Sequence, residues 1–189
     1  MRHPITSGLA VATMALALPL QAQQTGAPSM LVLDGSGSMW GQIDGTAKIT
    51  IARQAIDTML GDWPVDTPLG LMAYGHRQEG ECGDIETLIE PAALDRAAFR
   101  EAMDGVTPRG KTPIGRSVER AAKALSHGDR TASVIVVTDG LENCGADLCD
   151  LGTRLETSGM AFTAHVIGFD VGDDDGQLAC LAESTGGQY

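Results

Sequence analysis

A chain of 189 residues that is 43% hydrophobic and 20% charged can bury one good core but is too short for two ordinary domains. Its 25 acidic residues against 13 lysines and arginines leave a formal net charge of -12. Such a surface repels nucleic acid and anionic lipid, which excludes both as its main partners.

The first residues read as an export signal rather than as part of the fold. Arg2 and His3 precede a mostly apolar run over residues 9–20, and the small residue Ala22 follows in a polar setting. A membrane span needs about 20 consecutive apolar residues, and Pro19 and Gln21 end this run early. The expected organisation is a signal peptide over residues 1–22, a polar leader over 23–29 and one folded domain over 30–189. Leu20 stands at the -3 position of the cleavage site, where a small residue is the usual choice. Cleavage removes Arg2 and no acidic residue, so the net charge moves from -12 to -13. The mature protein is then expected to be periplasmic or secreted, with no membrane insertion.

Residues 30–33 form a continuous apolar run that stops at Asp34 and a Gly/Ser cluster, which predicts a buried parallel strand. Over 46–60, Ala52, Ala55, Ile56 and Met59 fall at i, i+3, i+4 and i+7, predicting an amphipathic helix ended by Gly61. Residues 69–74 predict a second strand and 85–89 a third. The polar loop between them, 76–84, is too short for a crossover helix, so the third strand should run antiparallel at a sheet edge. Asp95 can cap a helix reaching Val106, and Thr112 stands as a capping residue before Pro113 at a first helical position. The next helix carries the stripe Ile114, Val118, Ala121, Ala122 and Leu125 and is stopped by Gly128. Residues 134–137 are consecutive β-formers that end at Thr138-Asp139-Gly140. A helix over 147–157, a strand over 162–169 and a helix over 177–183 complete the chain, and the acidic run Asp173 to Asp175 reads as a solvated loop. This alternation predicts an α/β fold: a doubly wound, mostly parallel open sheet with one antiparallel edge strand and helices on both faces.

In such a sheet, ligands bind beyond the carboxyl ends of the strands, where Asp34 stands. Ser36 and Ser38 follow at i+2 and i+4. Gly35 and Gly37 are expected to let the loop turn sharply, so that one carboxylate and two hydroxyls converge. An all-oxygen shell suits a hard cation such as Mg²⁺, whereas zinc favours His or Cys. Neutral hydroxyls leave the ion under-neutralised, which makes it a receptor for an outside carboxylate.

Three segments together carry a specific resemblance: Asp34-x-Ser36-x-Ser38, Thr112 within Gly110-Lys111-Thr112-Pro113, and Asp139 within Thr138-Asp139-Gly140. From about Met30 onward the chain resembles the von Willebrand factor type A (VWA) family with a complete metal-ion-dependent adhesion site. The resemblance implies a Rossmann-like VWA fold and a metal set of Asp34, Ser36, Ser38, Thr112 and Asp139. It implies Mg²⁺ as the ion, with Mn²⁺ or Ca²⁺ as alternatives, and a protein ligand that offers an exposed Asp or Glu. The family continues into a sixth strand and a final helix beyond the segment matching residues 186–189, so the sheet here is expected to lack them.

Three residues near the proposed metal face are candidates for partner contact. Trp40 follows the metal loop directly and is either an exposed anchor or a buried aromatic. His76 and Arg77 follow the second strand, where either could touch a ligand carboxylate or serve the structure alone. Cys82, Cys144, Cys149 and Cys180 are an even number in a chain expected to leave the cytosol, which predicts two disulfides; they lack a zinc-site spacing. The favoured pairs are Cys82 with Cys144, joining two loops on the metal-bearing side, and Cys149 with Cys180, joining neighbouring helices. A local Cys144 to Cys149 bridge is the main rival.

No Ser-His-Asp arrangement is legible, and no Gly-x-Ser-x-Gly elbow follows a strand. The segment Gly110-Lys111-Thr112 resembles the end of a phosphate loop but lacks the earlier glycine and the preceding strand. The expected function is therefore non-enzymatic: an exported VWA domain for adhesion or complex assembly that binds a partner's acidic residue through a divalent cation. A metal-stabilised structural subunit and a metal-dependent hydrolase are the alternatives.

Overall fold

A computed structural model describes residues 26–125, 131–159, 161–172 and 175–189. The expected signal peptide, the Gly128 helix stop and most of the acidic run at 173–175 lie outside these residues. The first strand, β1 (Ser29–Asp34), is buried at every position, as its unbroken apolar run requires. It lies at the centre of a five-stranded sheet of order β5-β4-β1-β6-β7, in which β4 is Leu69–Tyr74, β5 Ile85–Ala92, β6 Ala132–Thr138 and β7 Phe162–Gly168. β1 runs parallel to both β4 and β6, β6 is parallel to β7, and β5 alone is antiparallel, to β4 at the edge.

Strand parity divides the core into two layers. Met30, Val32, Met72, Tyr74, Val134 and Val136 face α3 (Ile114–Leu125), α4 (Leu148–Thr157) and α5 (Gly176–Ser184). Their neighbours Leu31, Leu33, Leu71, Ala73 and Val137 face α1 (Lys48–Asp62) and α2 (Arg96–Asp104). The period-two pleat alone produces this alternation, and burying each of these side chains contributes on the order of 1.5–3 kcal/mol. The predicted α3 stripe is buried throughout. In α1 the buried stripe is Ile49, Ala52, Ile56 and Leu60, while Ala55 is exposed and Met59 only half-buried. Ile49 and Leu60 are bulkier than Ala55, and the helix rolls to bury them. Asp95 caps α2 by accepting the Ala97 and Ala98 amides, and Asp147 caps α4 through the Asp150 amide.

A short hairpin, β2 (Gln42–Ile43) and β3 (Thr46–Ala47), precedes α1. Its turn residues Asp44 and Gly45 take φ values of 50° and 80°, the paired positive values of a tight Asp-Gly hairpin turn.

Among the described residues no sixth strand joins this five-stranded sheet, but the outer side of β7 is not bare. The Ala164 amide donates to Thr185 Oγ1 at 2.9 Å, and the Val166 amide donates to the Gln188 carbonyl at 2.9 Å. Gly187 lies so close to the Ala164 carbonyl that any Cβ there would collide with it. No described helix is long and apolar enough to cross a membrane.

Candidate metal centre

Several segments meet at the carboxyl end of the sheet. β1 delivers Asp34, fully buried, and the chain then enters a short 3-10 turn, Gly37–Trp40, anchored by the buried Met39. The loop does turn sharply, but neither Gly35 nor Gly37 takes a positive φ to do so. Gly35 is needed for another reason: a Cβ there would stand 2.7 Å from the Tyr74 carbonyl and 2.8 Å from His76 Cβ. The loop before α3 lies against this turn through a bridge between Ser36 and Gly110, the Gly37 amide donating to the Gly110 carbonyl at 3.1 Å.

Hydrogen bonds join four of the five predicted ligands. Asp34 Oδ1 accepts the Ser36 amide at 2.7 Å. The Ser36 and Ser38 hydroxyls are 3.0 Å apart, and Ser38 Oγ donates to Asp139 Oδ1 at 2.7 Å. Asp34, Ser36 and Asp139 are buried and Ser38 is exposed, so the cluster has a closed floor and an open mouth. Thr112 makes no hydrogen bond to the other four and is held instead by Asn143. Its amide donates to Asn143 Oδ1 at 2.8 Å, and its hydroxyl accepts from Asn143 Nδ2 at 3.3 Å. It therefore does not cap α3 as expected; the Glu142 carboxylate takes the Gly115 amide of that helix instead, at 2.9 Å.

The supporting residues were not legible as site residues. Thr138 donates to Asp34 Oδ2 at 2.6 Å and receives the buried Tyr74 hydroxyl at 3.2 Å. Burial raises the Asp34 pKa, the Ser36 and Thr138 hydrogen bonds oppose that rise, and the nearby Asp139 charge adds to it. Burial likewise holds the Tyr74 phenol well above its usual range, so it stays a neutral donor. Lys48, at the start of α1, bonds Asp139 Oδ2 at 3.0 Å and Asp170 Oδ2 at 2.7 Å. Burial alone would lower its pKa, but the Asp170 and Asp139 carboxylates prevail and raise it.

The donor chemistry fits a hard cation: two carboxylates and three hydroxyls, with no imidazole or thiolate among them. Among the described residues no three His, Cys, Asp or Glu side chains group as a metal site, and all four cysteines are tied up in disulfides.

The partner candidates separate. Trp40 is 57% exposed, its Nε1 donating to the Pro108 carbonyl at 2.8 Å, so the indole is fixed in place yet open to solvent. The His76 side chain is only 7% exposed and its Nε2 lies 3.0 Å from Glu86 Oε2. Arg77 is engaged by Asp84 at 2.7 Å and by Glu86 at 3.2 Å. Those two side chains hold the loop between β4 and β5; Arg77 is still 41% exposed, and His76 Nδ1 is buried without a hydrogen-bond partner among the described residues. Both favoured disulfides are formed, Cys82 with Cys144 and Cys149 with Cys180, and the local rival is not. They fit a chain that matures outside the reducing cytosol.

The von Willebrand factor type A domain model matches residues 29–142, more than half of the chain. The chain belongs to this family. It is 28% identical over 169 residues to the uncharacterized protein YwmC of Bacillus subtilis (strain 168), covering 84% of this chain and 74% of that one. Three solved structures share the fold. A von Willebrand factor type A protein from Catenulispora acidiphila superposes with a TM-score of 0.69 at 21% identity, covering 86% of this chain and 38% of that one. The vWF domain of the type V pili tip protein Mfa5 from Porphyromonas gingivalis gives 0.67 at 13% identity, covering 89% and 90%. Proximal thread matrix protein 1 from the mussel byssus, with a zinc-occupied MIDAS motif, gives 0.64 at 19% identity, covering 87% and 42%. This chain thus spans less than half the length of the first and third of these.

Proposed function

We propose that this chain is an exported, non-enzymatic VWA domain that holds a Mg²⁺-type cation through Asp34, Ser36, Ser38, Thr112 and Asp139 and captures a protein partner by the partner's acidic side chain. The observation that carries the reading is the Ser36–Ser38–Asp139 hydrogen-bond chain, which opens to solvent at Ser38 beside the exposed Trp40. Fold neighbours in a pilus tip protein and a byssal matrix protein support an adhesive role. Further support comes from the loop that carries Thr112. Among the described residues, Arg109 and Lys111 make no side-chain hydrogen bond or ion pair, in a chain with 25 acidic residues. Uncommitted cations on the loop that carries Thr112 suit a partner with further carboxylates, and an exposed Trp supplies the aromatic anchor typical of binding hot spots.

The test is retention of the oxidised protein on surface-immobilised poly-glutamate in millimolar Mg²⁺. The reading expects retention that EDTA reverses and that Asp34→Ala abolishes. Retention indifferent to both would mean simple attraction to Arg109 and Lys111, and would contradict capture through a metal.

A further inference from the structure

Lys48 breaks two local rules. It is the first residue of α1, where the helix dipole disfavours a cation, and that helix has no acidic residue in its first turn and no side-chain cap. It also withdraws a long charged side chain from solvent, leaving it 12% exposed. The stem passes over Gly41, where a Cβ would stand 3.2 Å from Lys48 Cε. Its second partner, Asp170, takes the left-handed conformation at φ 56°, an uncommon backbone state that Asp tolerates better than most residues. An unfavourable helix position and an uncommon backbone state meet on one ammonium group, and that group touches a predicted metal ligand.

We infer that Lys48 is a built-in counter-cation that competes with the divalent ion: it neutralises Asp139 in the metal-free protein and passes to Asp170 when a metal binds. This rests on the metal-binding reading above. Asp34, Asp139 and Asp170 set against Lys48 carry a formal charge of -2, which a divalent ion brings to neutrality. A neutral loaded site accepts a partner's carboxylate. Without the lysine the same site stays at -1 when loaded; it holds the metal more firmly and repels the partner. Lys48 thereby lowers affinity for the ion and raises affinity for the acidic ligand, so occupancy responds to changes in divalent-ion concentration.

Lys48→Met keeps all but the terminal atom's length of the side chain and removes its charge. Calorimetric titration with Mg²⁺ should show binding about tenfold tighter than in the unmodified protein, the scale of removing one unit charge several ångströms from a divalent ion near a surface. Retention of the Mg²⁺-loaded variant on poly-glutamate should fall. In the metal-free state its melting temperature should drop, since Asp139 loses its counter-ion. Equal or weaker Mg²⁺ binding by Lys48→Met would overturn the competition while leaving the metal reading intact. Absence of Mg²⁺ binding in both proteins would defeat the metal reading and the competition with it. Asp170→Asn provides a separate check if Lys48→Met does not fold. Lys48 then has no second anchor, and Mg²⁺ affinity should weaken several-fold; unchanged affinity would overturn the proposed transfer.

Discussion

Asn143 grips Thr112 from both ends, its Oδ1 accepting the Thr112 amide at 2.8 Å and its Nδ2 donating to the Thr112 hydroxyl at 3.3 Å. The Asn143 amide closes the contact on the Thr112 carbonyl at 3.3 Å. One side chain from the loop after β6 therefore fixes the orientation of a hydroxyl from the loop before α3. Supporting contacts of this kind set the precision of a metal centre.

Asn143→Ala should leave the buried Thr112 amide without a partner, a loss of about 1–3 kcal/mol of stability. Mg²⁺ affinity should fall by about tenfold, in line with the effect of removing such supporting contacts. Denaturant unfolding together with Mg²⁺ titration checks both. Lowered stability with unchanged Mg²⁺ affinity would show that Asn143 serves the fold alone.

Asp84 is expected to contribute to the loss of stability in acid. Burial raises its pKa, but the Gln78 and Arg77 amides and the Arg77 guanidinium outweigh burial and bring it below 3.8. A depressed carboxyl contributes stability above its unfolded pKa and loses it as pH falls through the folded value. Asp84→Asn should therefore be less stable at neutral pH by about 1–3 kcal/mol and show a shallower loss of stability below about pH 4. Urea unfolding across that window is the measurement. An equal slope in both proteins would place the acid sensitivity elsewhere.

The Cys82–Cys144 bridge joins residues 62 apart in sequence and ends beside Asn143. Chain-entropy reasoning gives such a cross-link about 4 kcal/mol, an upper value because reduced chains keep some structure. The Cys82→Ser, Cys144→Ser double variant should melt lower and also bind Mg²⁺ more weakly, since the loop carrying Asn143 loosens. Cys149→Ser, Cys180→Ser, which removes a bridge joining α4 and α5, should lower the melting temperature with little change in Mg²⁺ affinity. Equal effects of the two double variants on Mg²⁺ binding would sever the proposed link between the first bridge and Thr112.

What the sequence made legible follows from period and polarity. The run ending at Asp34 and the stripe from Ile114 to Leu125 are unambiguous because buried parallel strands and amphipathic helices impose patterns that few other structures share. The five candidate oxygen donors could be picked out because they end a strand, follow one in the next turn or stand just before a helix. The supporting groups could not. Lys48 looks like any solvated helix charge until Asp139 and Asp170 meet it, and they lie 91 and 122 positions further along the sequence. Asn143 and Glu142 reach Thr112 and Gly115 across separations of 31 and 27 residues, which no local pattern encodes. The hairpin at Asp44-Gly45 did carry a signal in that dipeptide, but two-residue strands are too short to show alternation. Gly35 was expected for its conformational freedom, yet it is required by the approach of the Tyr74 carbonyl, a constraint visible only after β1 and β4 pair.

The central claim is that the Asp34 cluster binds a divalent cation, and thermal unfolding tests it most directly. Oxidised protein stripped with EDTA should be melted against Mg²⁺, Mn²⁺ and Ca²⁺, with Asp34→Ala as the control. A ligand that binds only the folded state at a hundredfold excess over Kd adds about 2.7 kcal/mol, a rise of roughly 5–10 °C for a domain of this size. The account predicts such a saturable rise with at least one ion and its absence in Asp34→Ala. No shift with any of the three ions at millimolar concentration, or an equal shift in the variant, would contradict it.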